Sequence, residues 1–131
     1  VTGVQTCALP IFNRSVFNRL TRLFAGHFFY ALVFHTGRVT HKSYSTPVVA
    51  EKQAGYIYIP LPYGTDTDWF LNVKAAGGCR IQIRGATYLA VYPEIIDPLL
   101  ALPNFSASLQ KVFIRAGIVQ YLRMECPKSG G

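Results

Sequence analysis

The stretch FYALVFHTGRVTHKSYSTPVVAE, residues 29–51, predicts two strands joined by a basic loop. Its first part, residues 29–36, is almost continuously apolar, and its last part, residues 43–51, is rich in hydroxyl-bearing and β-branched side chains. Both compositions are typical of strands. Because only the segment GRVTHK separates them, we expect the two strands to pair as a hairpin.

Further candidate strands and helices follow along the chain. The strands alternate with period two and are GYIYIPLP (55–62), CRIQIRG (79–85) and TYLAVYP (87–93). The helices follow the helical period and are DWFLNVKAA (68–76) and FSASLQKVFIRAG (105–117). Pro60 is expected at a sheet edge or a bulge, because proline cannot donate to a strand ladder. The strands on either side of Gly85 and Ala86 are expected to form a hairpin.

Two stretches leave more than one structure open. Residues 95–103 contain Pro98 and Pro103 and predict a turn or a broken helix, whereas residues 118–125 fit a short strand or a further turn of helix. The complete order predicts a single α+β domain with a small antiparallel sheet and flanking helices. We expect this sheet to close into a barrel, since closure hides exposed strand edges.

The composition restricts the classes of function. A chain of 131 residues, half of them hydrophobic, has room for one well-packed domain. Its formal net charge of +7 favours anionic partners such as phosphates, nucleic acids, acidic lipids or a polyanionic cofactor. The sequence holds no GxSxG, P-loop or GxGxxG motif and no paired carboxylates, so a hydrolase or a metalloenzyme has weak support, and we predict no metal site. An enzyme of this kind is expected to use a bound cofactor for its chemistry.

The N-terminal residues and the cysteines bear on the origin and location of the protein. Residues 1–11, VTGVQTCALPI, resemble the translation of a common sequencing-adapter oligonucleotide, and we interpret them as an artefact fused to a truncated gene; a natural apolar strand is the alternative. The domain proper is then residues 12–131. Residues 12–26 predict a basic amphipathic helix that either packs on the core or rests on the inner face of an anionic membrane. The three cysteines are few and far apart, which argues against a disulfide framework and favours the cytoplasm.

The basic loop is the first candidate site. Arg38, His41 and Lys42 are flanked by several hydroxyl side chains, and Gly37 permits a close approach of the backbone. Cations, hydroxyls and backbone N–H groups in one loop are what a phosphate or a carboxylate requires. A solvated hairpin with ordinary surface charges is the alternative.

The second candidate site is LPYGTDTDWFLNVKAAGGC, residues 61–79. Trp69 and Asn72 are three residues apart and share a helix face, so they could border a flat ring together with Tyr63. In that arrangement Asn72 either bonds the ring or braces the loop. Alternatively, Trp69 anchors the core. His35 closes an apolar strand, and we interpret it as a buried histidine with its hydrogen bonds satisfied. Cys79 is expected to be a small core residue.

Together these two sites resemble the nitroreductase family of deazaflavin-dependent oxidoreductases, also called the F-420-dependent quinone or nitro reductases. The segments that carry the resemblance are TGRVTHKSYSTPV (36–48) and PYGTDTDWFLNVKAAGGCRIQIRG (62–85). A weaker similarity extends over about residues 12–124. Either segment alone is unspecific, whereas both together, in this order and at this spacing, are characteristic of the family.

The resemblance implies a split β-barrel of the flavin-reductase type. It also implies transfer of a hydride from reduced coenzyme F-420, in preference to FMN, to a quinone, a nitroaromatic or a similar electrophile. It further implies nine cofactor-binding residues, which are Arg38 and Lys42 for the phosphate or tail, Ser45, Thr46 and Pro47 for the ribityl region, and Tyr63, Gly64, Trp69 and Asn72 for the ring. No catalytic side chain is implied, because the coenzyme itself carries the hydride.

One position departs from the family pattern. His41 stands where the family has glycine, and since histidine adopts positive φ less readily, we expect the loop to take another shape.

The basic helix and a mean hydropathy of +0.24 suggest the second hypothesis, a carrier of lipids or hydrophobic ligands on the same barrel. Nucleic-acid binding is not favoured, because the aromatic residues do not interleave with Lys and Arg.

Overall fold

The computed structural model of the chain describes residues 30–127. The predictions for residues 1–11 and 12–26 therefore lie outside the described residues. The strands are β1 (Tyr30–Thr36), β2 (Ser43–Val49), β3 (Glu51–Gln53), β4 (Tyr56–Pro60), β5 (Gly78–Ile83), β6 (Ala86–Ile96) and β7 (Tyr121–Glu125). The helices are α1 (Asp68–Ala76), α2 (Pro98–Ala101), which continues into a 3₁₀ turn (Leu102–Asn104), and α3 (Ala107–Arg115).

The strands form one antiparallel sheet in the order β2-β1-β5-β6-β7-β4-β3. This confirms the predicted α+β class. The edge strands β2 and β3 do not pair with each other, so the sheet is open and the predicted closure is not confirmed. Ala50 alone separates the two edge strands in the chain. Because one residue spans less than about 4 Å, the sheet has to curl until the end of β2 reaches the start of β3.

Two clusters of buried side chains lie on opposite faces of the sheet. The first contains Val33, Ile81 and Leu122 together with Trp69 and other residues of α1. The second includes aromatic side chains of β4, β7 and α3, which are Tyr58, Tyr121 and Phe113, and also Phe105, which follows the 3₁₀ turn. Strand β4 is buried on both faces because its isoleucines enter the first cluster and Tyr58 enters the second.

The proline in β4 lies at a position where no neighbouring strand needs a hydrogen bond from its missing N–H. Strand β3 pairs only with Tyr56 to Tyr58, and Pro60 pairs with Tyr121 of β7 on the other side. Beyond Tyr58, β4 is therefore an edge strand on its β3 side, as the sequence predicted.

The two ambiguous stretches are now assigned. Residues 98–104 form α2 and the 3₁₀ turn, so the broken-helix interpretation is confirmed. Residues 121–125 form β7, which lies in the interior of the sheet between β6 and β4. The β5–β6 hairpin turns at Arg84 and Gly85, both with positive φ, one residue earlier than predicted. Among residues 30–127, no helix has the length and apolar character needed to span a bilayer.

Candidate functional site

The basic loop between β1 and β2 is a tight turn closed by its own backbone. The Gly37 N–H donates to the carbonyl of Lys42 over 2.8 Å, and the His41 N–H donates to the carbonyl of Gly37 over 2.9 Å. His41 has a φ of 62°, so it occupies the left-handed region, which glycine adopts most readily. The expectation that histidine gives the loop a shape other than the family's stays a prediction. The positive φ costs about 1 kcal/mol at this residue.

Gly37 is required because the Tyr44 ring packs against it. A Cβ at Gly37 would lie 2.9 Å from the edge of that ring and 2.5 Å from Thr40 Oγ1. The hydroxyls of Tyr44 and Thr40 are hydrogen-bonded over 2.9 Å, and the Tyr44 ring stacks on His35 with centroids 5.7 Å apart. The aromatic residue thus ties the loop to the end of β1.

Asn72 of α1 holds the loop from the other side. Its Oδ1 accepts the backbone N–H of Arg38 over 3.1 Å and the Nη1–H of the same residue over 2.7 Å. Arginine can only donate, so the atom that faces Arg38 is the amide oxygen. The Nδ2 group of Asn72 must then face His35, to whose Nδ1 it donates over 3.0 Å. Of the two roles predicted for Asn72, the structure shows that it braces the loop.

This orientation fixes the tautomer of His35. Because Nδ1 accepts from Asn72, the ring proton lies on Nε2, which donates to Thr46 Oγ1 over 2.9 Å. Burial lowers the pKa of His35 from 6.5 to about 4, against a smaller opposite effect of the Asp68 charge. His35 is therefore neutral near pH 7 and both ring nitrogens have partners, which confirms its interpretation as a satisfied buried histidine.

The charged groups of the loop remain at the surface. Arg38 Nη2 lies 3.4 Å from Asp68 Oδ1, and the two side chains are 36% and 49% exposed. An exposed pair of this kind contributes little to stability and leaves other N–H groups of the guanidinium available. Lys42 is exposed, and no acidic side chain among residues 30–127 forms an ion pair with it. The loop therefore offers positive charge to an anion.

The structure brings three of the nine predicted residues into one polar network. Arg38, Asn72 and Thr46 are connected through His35. Lys42 ends the same loop, and Ser45 and Pro47 follow on β2, where they pair with Phe34 and Leu32.

The remaining three predicted residues lie elsewhere. Trp69 is 7% exposed and packs edge-on against Phe70 in the first core cluster, which favours its role as a core anchor. Tyr63 packs against the second core cluster, and burial raises its pKa to about 12. Gly64 has a φ of 81° and lies beside Gln120.

A groove opens beside the loop, where β1 and β5 separate. Their pairing ends at Phe34 and Arg80, although β1 continues to Thr36 and β5 begins at Gly78. The groove has a volume of about 680 Å³, which is in the usual range for small-molecule sites. Its walls include Thr36 and Ser43, the residues that flank the basic loop.

Sequence reasoning missed the residues that connect the two motifs. His35 was assigned to the core without its bond to Asn72, and Arg80 received no role. A signal was present for His35, since it follows Val33 on the inward-facing side of β1. The groove carried no signal, because its residues come from strands that are distant in the sequence.

The comparisons with known proteins concern the fold. No protein-family profile matches the sequence, and no curated protein shows significant similarity to it. Several solved structures resemble it, and two of them show how low the sequence identity is. One, described as a domain-swapped dimer, is 13% identical with a TM-score of 0.53, over 73% of this chain and 79% of the other. General Stress Protein 26 from Bacillus anthracis str. Sterne is 10% identical with a TM-score of 0.54, over 84% and 86%.

Proposed function

We propose that the protein is an oxidoreductase that uses the deazaflavin coenzyme F-420 to reduce a quinone, a nitroaromatic or a similar electrophile. The observation that carries the proposal is the contact between Arg38 and Asn72. These residues belong to the two separate segments that resemble the deazaflavin-dependent family, and they are joined by two hydrogen bonds of 3.1 and 2.7 Å. Residues 34 positions apart are thus parts of a single site.

The donor groups of the loop fit the anionic part of this coenzyme. Lys42 and the outer N–H groups of Arg38 would hold its phosphate or its oligoglutamate tail, because both are exposed cations on a loop whose backbone is fixed. Ser45 and Pro47 would lie along the ribityl region on the adjacent strand. Within the same proposal, the curled sheet is a split β-barrel, with its edges at β2 and β3.

The protein's own residues would bind and orient in this reaction. Neutral His35 and buried Asn72 keep Arg38 in place without adding a titrating charge near the site. The coenzyme supplies the hydride when it is bound. A pair of acidic and basic side chains is therefore not needed, in agreement with the small number of acidic residues.

A fluorescence titration of oxidised F-420 with the purified 131-residue chain tests the proposal. We expect saturable quenching at micromolar protein, and Lys42→Gln should weaken binding roughly five-fold, since one exposed charge contact is worth about 1 kcal/mol. Lys111→Gln, which removes the same charge from α3, is the matched control and should bind like the unmodified chain. An excess of FMN should not displace the coenzyme.

The titration also separates the proposal from its rivals. Absence of quenching at micromolar protein, or equal affinity for the Lys42 and Lys111 variants, would refute the assignment of this site. Co-sedimentation with liposomes that depends on residues 12–25, with no effect of the coenzyme, would favour the lipid carrier.

A further inference from the structure

The groove between β1 and β5 has the charge and shape of a separate binding site. Across its floor, Phe34 of β1, Arg80 of β5 and Leu89 of β6 stand side by side in register. Phe34 and Leu89 are 38% and 51% exposed. The floor of the groove thus combines two exposed apolar side chains with one cation between them.

The polar groups of the groove are suited to an anion. Among residues 30–127, no acidic residue lines the groove and no acidic side chain pairs with Arg80. The hydroxyls of Thr36, Ser43 and Thr87 lie along the walls. A ligand bound here would therefore meet apolar surface, hydroxyl groups and one unpaired guanidinium.

A strained aromatic residue follows Val91, one of the residues that line the groove, in the chain. Tyr92 has a φ of 57°, which is a genuine outlier for a bulky side chain, and it is 69% exposed. Its N–H donates over 3.1 Å to the carbonyl of Gly77, and both Gly77 and Val91 line the groove. The register of β6 against β7 shifts at this point. The fold thus keeps an exposed tyrosine directly after a groove residue in the chain, at a cost in backbone energy.

We propose that this groove binds a flat aromatic molecule with one anionic group. Its ring lies on Phe34 and Leu89, its anion pairs with Arg80, and Tyr92 covers it. The inference rests on the groove alone and does not depend on the assignment of the basic loop to a coenzyme.

Two fluorescent probes of nearly the same shape test the proposal on the 131-residue chain. Anilinonaphthalene sulfonate carries one negative charge, whereas phenylnaphthylamine carries none. We expect the sulfonate to bind with one-to-one stoichiometry and about ten-fold more tightly than the neutral probe, because a charge-assisted hydrogen bond in a partly buried site is worth about that factor. Arg80→Gln should remove this preference while the affinity for the neutral probe is kept.

The controls distinguish the groove from other apolar surface. Arg115→Gln removes an exposed charge from α3 and should leave the preference intact. Tyr92→Ala should weaken both probes by a similar factor, since it removes ring contact and not charge. Equal preference for the sulfonate in the Arg80 variant and the unmodified protein would overturn the proposal, as would binding of several probe molecules without saturation.

Discussion

Replacement of Asn72 by leucine should destabilise the protein more than the small change in side-chain volume suggests. Asn72 is 4% exposed, and its amide makes three hydrogen bonds, two with Arg38 and one with His35. Leucine has a similar volume, so the substitution opens no large cavity. The cost comes from the partners that it leaves behind.

The magnitude follows from these partners. His35 Nδ1 would stay buried without a donor, which costs about 1 to 3 kcal/mol. The bonds from Arg38 add about 1 kcal/mol, a reduced value because Arg38 is partly exposed and water can replace Asn72. We therefore expect Asn72→Leu to lower the free energy of unfolding by about 3 kcal/mol.

Urea denaturation followed by the fluorescence of Trp69, the single tryptophan, measures this loss near neutral pH. Thr67→Val is the control at the start of the same helix. Thr67 is 3% exposed, and its Oγ1 has no hydrogen-bond partner among residues 30–127, so removal of that oxygen should be neutral or slightly stabilising. A loss below about 1 kcal/mol for Asn72→Leu, or an equal loss for both variants, would refute the account of the network.

Three further predictions concern single residues. His41→Gly should raise the free energy of unfolding by about 0.5 to 1 kcal/mol in the same urea assay, because glycine adopts a φ of 62° without strain. A lower free energy of unfolding would show that the His41 side chain stabilises the loop. The pKa of His35 is lowered from 6.5 to about 4, so between these pH values the unfolded chain takes up a proton that the folded protein does not. The free energy of unfolding should therefore fall by about 1.4 kcal/mol per pH unit as the pH drops from 6.5 towards 4. A His35→Gln variant that keeps this pH dependence would contradict the assignment. Burial raises the pKa of Cys79 to about 12, so a thiol reagent should modify half-buried Cys126 well before Cys79. Mass spectrometry of the labelled peptides measures this order, and modification of Cys79 first would contradict the prediction.

Most strands could be predicted from the sequence because their side chains alternate locally. The alternation of tyrosine and isoleucine in residues 56–59 corresponds to two buried faces of β4, and Pro60 lies at an edge for the expected reason. Residues 121–125 could not be assigned, because β7 is buried on both faces and a short apolar run fits either secondary structure. Its pairing with β4 depends on contacts more than 60 residues apart in the chain.

The segments that form the candidate site could be predicted from the sequence, but the hydrogen bonds between them could not. The two segments that carry Arg38 and Asn72 were both selected, yet their hydrogen bonds depend on the packing of α1 against β1. His41 shows the limit of reasoning from propensity, since its neighbours' hydrogen bonds impose a conformation that histidine alone would not favour. The sequence does not distinguish Arg80, because only the register of three strands places it between Phe34 and Leu89.

The consumption of reduced F-420 in the presence of a quinone tests the central claim most directly. With menadione as the acceptor and the 131-residue chain under anaerobic conditions, we predict oxidation of the coenzyme well above the protein-free rate. The rate should be lower in Lys42→Gln and unchanged in Lys111→Gln. Binding of the coenzyme without any oxidation above the protein-free rate, across quinone and nitroaromatic acceptors, would contradict the assignment as an oxidoreductase.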